Sequence, residues 1–586
     1  MQPEEQLADV DGGALNQERS SIFSHIEEGL KKNPRGLATV VMHQRADHLS
    51  ELTAGEKDDS PNAQSAIASS NCLQWTYLQL HQAALKFATG LMAHGIQPGM
   101  RIATLIPNRV EYPLTLWMYT LLRLTLISLD PGAVTPPRRE ELTKLMEATN
   151  PDVVMVLDEK GAEAIDQVFS ARAGPKLKIL LDGAADGWTS IPAIAAAGSK
   201  SSMSPETIVQ QARAADDPDR ISLILFTSGT STGTPKGCAR HVAAVNNIFY
   251  NIYQWGRGFT TSTRVLTSSP NFRIISPAIH TGIWFKGATA IMPDPSLGAE
   301  GAIAAIREWR VNYILFIPAI TYGVVGDAEF QGLDVSSVTD ITLGGDMITR
   351  DIHARTRKAF PHAVVSTSHG MTEGGGLFRW PFFATPFDEI PFYADISPLG
   401  LATPGSKLRI LDPETHTLLK RNVPGELCVS SKSVINHYLN DTNQDAFLHQ
   451  DGIQWFLTGD LAMIDAEGII YILGRIKDVI KRSGVPITPA ALESCIEKFT
   501  GSQTSVVAWP HAVLGQEPLV VVKGLGGKTE EEVKRRVEEM FGRDYAVGSV
   551  VTLEQLGRRE FPLNATGKII KREVVELVEG YYGQRS

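Results

Sequence analysis

A chain of 586 residues with 43% hydrophobic and 20% charged residues can bury a large core, and that composition excludes global disorder and a fibrous repeat. A formal charge of −10 disfavours nucleic acid as the main partner, while leaving room for a local basic pocket around a phosphorylated ligand. No apolar run reaches the roughly 18–20 residues needed to span a bilayer. The acidic, polar start lacks the basic and then apolar plan of a secretory signal, so a cytoplasmic protein with no membrane span is expected. Cys72, Cys238, Cys428 and Cys495 lie far apart, with no C-x-x-C pair and no disulfide framework, and read as small core residues.

The first twenty or so residues and the stretch from Ala54 to Asn71 are polar and small. They predict a loose tail and a surface insertion, so that residues 1–70 precede or decorate a large domain. From Trp75 the pattern turns periodic. Leu80, Ala84, Phe87 and Leu91 recur at helical spacing, Gly95 ends the helix, and Ile102–Ile106 reads as a buried strand. The alternation continues through Val110–Leu122, Leu124–Leu129, a helix around Arg138–Ala148, and strands at Val153–Leu157 and Leu177–Leu181. Such alternation predicts an α/β fold of layered, largely parallel sheets. Residues 183–220, rich in Ala, Ser and Asp, read as a surface connection into a strand at Ser222–Phe226. Further on, Ala462–Leu473 reads as a hairpin, and helices are expected over Glu532–Glu539 and Lys571–Leu577.

The segment with the most chemistry in it runs from Leu225 through Thr227-Ser228-Gly229-Thr230-Ser231-Thr232-Gly233-Thr234-Pro235-Lys236-Gly237. An apolar strand feeds a loop of hydroxyls, glycines and one lysine, which suits a polyphosphate. Glycines let backbone N–H groups approach phosphate oxygens, hydroxyls donate further bonds, and Lys236 adds a positive charge. A flexible linker would not follow a fully apolar strand and end in Pro-Lys-Gly. The loop lacks the Gly-Lys-Ser/Thr ending of the common nucleotide triphosphatase loop. Two other glycine segments carry no such chemistry. Leu343-Gly344-Gly345-Asp346 has Met347 where a carrier domain would place its modified serine, and Gly524-Leu525-Gly526-Gly527 has Thr529 in place of the third glycine of a dinucleotide fingerprint.

This loop resembles the signature of the AMP-forming adenylating superfamily, which includes acyl- and aryl-CoA synthetases, peptide-synthetase adenylation domains and beetle luciferases. Four further motifs match in order: His369-Gly370-Met371-Thr372-Glu373, Thr458-Gly459-Asp460, Gly474-Arg475-Ile476-Lys477-Asp478-Val479-Ile480-Lys481, and Pro562-Leu563-Asn564-Ala565-Thr566-Gly567-Lys568. The resemblance implies a large N-terminal domain over 71–474 and a small, mobile α+β domain over 475–586. It implies ATP, Mg²⁺ and CoA, or the phosphopantetheine of a carrier protein, as cofactors and co-substrates, with a small carboxylic acid as substrate. Lys568 would bridge the acid and the α-phosphate, Thr372 would touch that phosphate, and Glu373 would hold Mg²⁺. Asp460 would accept from the ribose hydroxyls with Arg475 beside it, and His369 would stack on adenine where the family commonly has Tyr. Lys477 falls at the hinge, and Lys481 where a second domain arrangement presents a lysine.

The acyl pocket implied by the same resemblance includes Arg273, Ile274, Gly344, Gly345 and Asp346. Arg273 stands where many relatives have His. Ile274 stands near the aspartate that pairs a substrate ammonium in amino-acid-activating domains, and an apolar side chain there would leave a buried ammonium unpaired. The expected activity is therefore ATP-dependent activation of a carboxylic acid other than an α-amino acid, followed by transfer to a thiol, with CoA expected. A free-standing enzyme loading a carrier protein and a non-catalytic nucleotide- or acyl-binding relative are the alternatives.

Overall fold

The computed structural model describes residues 6–15, 20–54, 71–227, 235–255, 258–326, 329–441, 444–483, 485–563 and 569–583. The helix Tyr77–Ala93 shows how local sequence sets an element. Thr76 caps it by accepting the Gln79 N–H at 3.2 Å while the Gln79 side chain accepts the Thr76 N–H at 2.9 Å, so two orphan donors are satisfied at once. Gly95, with φ +79°, turns the chain out of the helix into the strand Arg101–Leu105.

Among the described residues the first large sheet orders the strands Leu177–Leu180, Val153–Val156, Arg101–Leu105, Thr125–Ser128, Ile221–Phe226 and Gly237–His241. All neighbours are parallel except the last pair. The second orders Val364–Ser368, Asp340–Gly344, Tyr313–Phe316, Arg264–Leu266, Thr289–Met292, Leu37–Arg45 and Cys72–Thr76, again parallel up to its final pair. Between them lie Tyr77–Ala93, Glu111–Leu121, Ile275–Lys286 and Ile22–Lys32. Their side chains join both sheets in one core, with Trp117 and Trp284 ring centroids 5.2 Å apart. Glu111–Leu121 is buried along its whole length, as its nearly unbroken apolar sequence requires.

A third sheet is antiparallel: Asp9–Asp11, Ser406–Leu411, Gly425–Ser431, Ile453–Ile464 and Phe447–Gln450, with Ile470–Arg475 paired to Ile453–Ile464. After the turn Ile476–Asp478 comes the small domain. There Val485–Ile487, Ile480–Arg482, Gly515–Val522, Thr504–His511 and Ser549–Thr552 form a mixed sheet with Pro489–Thr500 and Glu530–Phe541 on one face and Lys571–Gly583 on the other. It has its own apolar core around Leu492, Val520 and Val537. No helix among the described residues is long and apolar enough to cross a membrane, and all four cysteines are buried and unbridged.

Two expectations need correction. The N-terminal stretch is not merely a tail and an insertion. Asp9–Asp11 adds an edge strand to the third sheet, Ile22–Lys32 lies in the main core, and Leu37–Arg45 sits inside the second sheet. Residues 183–220 are not merely a connection, since they carry the helices Ile191–Ala196 and Pro205–Arg213, whose Ile191, Ile194, Ile208 and Ala212 are buried. The insertion expected after Ala54 falls mostly outside the described residues.

Candidate active site

Thr227 follows the strand Ile221–Phe226, which lies next to the edge strand Gly237–His241 of the first sheet. Its N–H donates to the Lys236 carbonyl at 3.0 Å, and its hydroxyl accepts the Lys236 N–H at 3.1 Å. These two bonds pinch the base of the phosphate-loop segment, and both residues line a cleft of about 2310 Å³ that runs between the large and small domains. The other expected loop contacts, Ser228, Gly229, Thr230, Ser231, Thr232 and Gly233, lie outside the described residues, as does Lys568.

The segment leaving the strand Val364–Ser368 brings His369, Gly370, Thr372 and Glu373 to the same cleft. Reciprocal backbone bonds between Met371 and Gly374, 3.0 and 3.2 Å, close it into a tight turn. The Glu373 carboxylate accepts the Tyr438 hydroxyl at 2.7 Å, and its carbonyl accepts the Ile435 N–H at 2.8 Å. Burial, reinforced by the Glu373 charge, raises the Tyr438 phenol far above its ordinary pKa, so it remains a donor. The Lys236 ammonium stands 5.6 Å from the Tyr438 ring centroid. One tyrosine thus touches both the loop lysine and the carboxylate.

Asp460 and Arg475 are register partners on Ile453–Ile464 and Ile470–Arg475. Arg475 Nε is 3.0 Å from Asp460 Oδ1, and an Arg475 amino group donates to the Thr458 carbonyl at 2.9 Å. Gly459, at φ +70°, lets the chain turn so that its N–H reaches Glu426 Oε1 at 3.0 Å. Asp460 is only 3% exposed, and its Oδ2 accepts no hydrogen bond among the described residues. His369 Nε2 lies 3.6 Å from that oxygen, its ring edge-to-face with Phe378 at 5.7 Å. A buried carboxylate oxygen able to take a donor, beside an imidazole that can stack, suits a nucleoside's ribose and base.

On another part of the wall, Arg273 and Ile274 stand just before the helix Ile275–Lys286, and Gly344, Gly345 and Asp346 end the strand Asp340–Gly344. Gly345 has φ +80°, and a Cβ there would come 2.9 Å from Ile317 Cγ2, so this turn requires glycine. Arg273 Nε is buried without a hydrogen-bond partner among the described residues, and the guanidinium lies 5.1 Å from the Phe272 ring centroid. Burial lowers its pKa, opposed by Asp130. Lys477 also lines the cleft, its pKa lowered by burial against the pull of Asp478. Lys481 is not brought to the cleft: it is exposed, 3.5 Å from Glu414.

Two site residues escaped sequence reasoning. Tyr438 carried no spacing signal of its own. Arg240 is fully buried in Gly237–His241 and donates to the carbonyls of Thr372 at 2.9 Å and Ser433 at 2.7 Å. A lone arginine in the short segment Gly-Cys-Ala-Arg-His was its available signal, because a cation placed among small and apolar residues demands partners. Among the described residues no group of three or more His, Cys, Asp or Glu could hold a metal ion unaided. The single Glu373 carboxylate fits Mg²⁺ as that ion is commonly held, by one or two carboxylates with phosphates and water completing the shell.

A model of the family "AMP-binding enzyme" matches residues 57–439. An acyl-CoA ligase of Pestalotiopsis microspora is 36% identical over 581 residues, covering 98% of each chain. A 4-coumarate–CoA ligase of Oryza sativa subsp. japonica is 25% identical over 514 residues, covering 85% of this chain and 86% of the relative. Among solved structures, ATP-bound MatB from Rhodopseudomonas palustris superposes with a TM-score of 0.76 at 21% identity, covering 96% of this chain and 100% of that one.

Proposed function

Because the chain belongs to the AMP-binding enzyme family and is an AMP-forming acid–thiol ligase, we propose that it activates a small carboxylic acid and passes the acyl group to CoA. In the first step a carboxylate oxygen attacks the α-phosphorus of ATP and the bond to pyrophosphate breaks. In the second the CoA sulfur attacks the acyl carbon, its proton leaves to solvent, and AMP departs. The observation that carries the reading is the convergence on one cleft of Thr227 and Lys236, the Thr372–Glu373 turn, His369 and Arg475, which both lie against the Asp460 carboxylate, and Arg273.

The residues divide the work by charge. Two anions must meet in adenylation, so fixed cations and donors aimed at the phosphoryl group lower the barrier. Lys236 and the loop hydroxyls bind the phosphates, Asp460 and Arg475 fix the ribose, and His369 with Phe378 supports the base. Thr372 donates toward the α-phosphate, and Lys568 neutralises the carboxylate and phosphate as they approach. Mg²⁺ held at Glu373 would supply charge neutralisation on the phosphates. The small domain turns about Lys477 between the half-reactions, which brings Lys481 to the cleft for the second. A cytoplasmic setting suits buried, unbridged cysteines.

Acid-dependent exchange of pyrophosphate into ATP and formation of CoA thioester, measured across aliphatic, aromatic and dicarboxylic acids, test the reading. Thioester with CoA is the expected result. Exchange with thioester forming only on a phosphopantetheinylated carrier would move the acceptor to a carrier protein, and no exchange with any acid would reject the proposal.

A further inference from the structure

A buried cation next to a carboxylate that handles phosphates has to be accounted for. Arg240 is the arginine that is completely buried among the described residues. Burial lowers its pKa to about 10, opposed by Cys238 and Glu373, so it stays protonated at neutral pH. It meets that charge with two backbone carbonyls, Thr372 at 2.9 Å and Ser433 at 2.7 Å, while its Nε has no hydrogen-bond partner among the described residues. Charge-assisted bonds to carbonyls are stronger than neutral ones, and losing the donor would leave two carbonyls unsatisfied in the interior.

Those two carbonyls belong to the two segments that grip Glu373. Thr372 precedes it in the chain. Ser433 begins the stretch whose Ile435 N–H bonds the Glu373 carbonyl at 2.8 Å and whose Tyr438 hydroxyl bonds its carboxylate at 2.7 Å. Close packing enforces the arrangement, since a Cβ on Gly374 would come 2.7 Å from Val434 Cγ2. Arg240 itself lies four residues after Lys236, on the strand Gly237–His241 that leaves the phosphate-loop segment, and Cys238 bridges to Tyr438 on that strand's outer side.

We propose that Arg240 is a positioning residue. It clamps the Thr372–Glu373 turn to the Ser433–Tyr438 segment, so that the strand carrying the phosphate loop also fixes where the Glu373 carboxylate stands. The inference rests on the adenylating reaction proposed above. It assigns Arg240 no contact with substrate. Its effect passes through Thr372, Glu373 and Tyr438.

The test compares Arg240→Met, Arg240→Lys, Tyr438→Phe and the Arg240→Met/Tyr438→Phe double variant in the full chain. Loss of an outer-shell partner commonly costs about 10–100-fold in activity or metal affinity. Arg240→Met is expected to lower kcat for pyrophosphate exchange by about that factor, leave KM for the acid unchanged and raise the Mg²⁺ concentration for half-maximal rate. Arg240→Lys, able to reach one carbonyl, should recover part of the loss and serves as the folded comparison should the methionine variant fail to fold. The double variant should fall well short of the product of the single losses, because both act through Glu373. Calorimetry of ATP binding with and without Mg²⁺ reads the same placement without turnover, so it decides the question even if no acid supports exchange. There the gain in affinity from Mg²⁺ should shrink by about 10-fold in Arg240→Met, a loss on the scale of an outer-shell change. A lower Tm with unchanged kcat and unchanged Mg²⁺ dependence, or multiplicative losses in the double variant, would overturn the proposal.

Discussion

A guanidinium in the wall of a substrate cleft acquires a role from what it lacks. Arg273 has a buried Nε with no hydrogen-bond partner among the described residues, and its guanidinium lies 5.1 Å from the Phe272 ring centroid, with Asp130 acting on its charge. Such a group favours an acid that carries a second oxygen acceptor or carboxylate. Arg273→Leu should therefore lower kcat/KM for polar acids more than for plain aliphatic ones in the thioester assay. A uniform drop across the acids, or a rise in KM for CoA alone, would count against this role. Lys568→Ala should leave the protein folded and reduce adenylation by roughly 10²–10³, as removal of a transition-state charge partner does. Unchanged pyrophosphate exchange would remove Lys568 from the reaction. At this scale the motifs made Asp460, Arg475, His369 and Glu373 legible, since each stands in a short run whose spacing is local. Arg240 and Tyr438 were not, because their partners lie 132 and 65 residues away in the chain and only the fold brings them together.

Among the elements, the turn Ile476–Asp478 joins the last strand of the third sheet to the first strand of the small domain. Lys477→Pro fixes φ at that junction. If the small domain rotates there, one half-reaction survives and the other collapses, which separate assays of pyrophosphate exchange and thioester formation from purified acyl-adenylate would reveal. Equal loss of both, with a lower Tm, would indicate simple misfolding. The helix Tyr77–Ala93 and the strand Arg101–Leu105 were readable because apolar period, cap and glycine stop agree. The strand Leu37–Arg45 was obscured by the polar segments on either side, although its run of buried residues fits a strand covered on both faces. Ile191–Ala196 and Pro205–Arg213 are short helices in an Ala- and Ser-rich stretch, where a few buried positions are too few to set a period.

Across the whole molecule, one carboxyl of the small domain predicts a pH-dependent stability. Glu497, on the small-domain helix Pro489–Thr500, has its pKa raised to about 7 by burial. It accepts the Thr504 N–H at 3.0 Å and faces Glu493 on its own helix, with Asp351 and Arg355 across the cleft. A carboxyl that holds its proton in the folded state but not in the unfolded one gives stability below its unfolded pKa and loses it as pH rises through about 7. Glu497→Gln should thus raise Tm relative to the parent, with the difference growing between about pH 4.5 and pH 7, the window bounded by the unfolded and folded pKa values. A difference in Tm that does not change with pH would reject this. The large domain carries a second consequence in its topology. Asp9, on the third sheet's edge strand, bonds Arg409, 400 residues on, and Thr39 in the second sheet bonds Met292, 253 residues on. During synthesis the strand Leu37–Arg45 must wait, partly unpaired, until about half of the chain has left the ribosome, and Asp9–Asp11 waits longer still. Non-local pairing of this kind is slow and leaves sheet edges open to other chains. Yield on expression should therefore respond to slower translation, lower temperature and chaperone supply more strongly than the finished protein's stability would suggest.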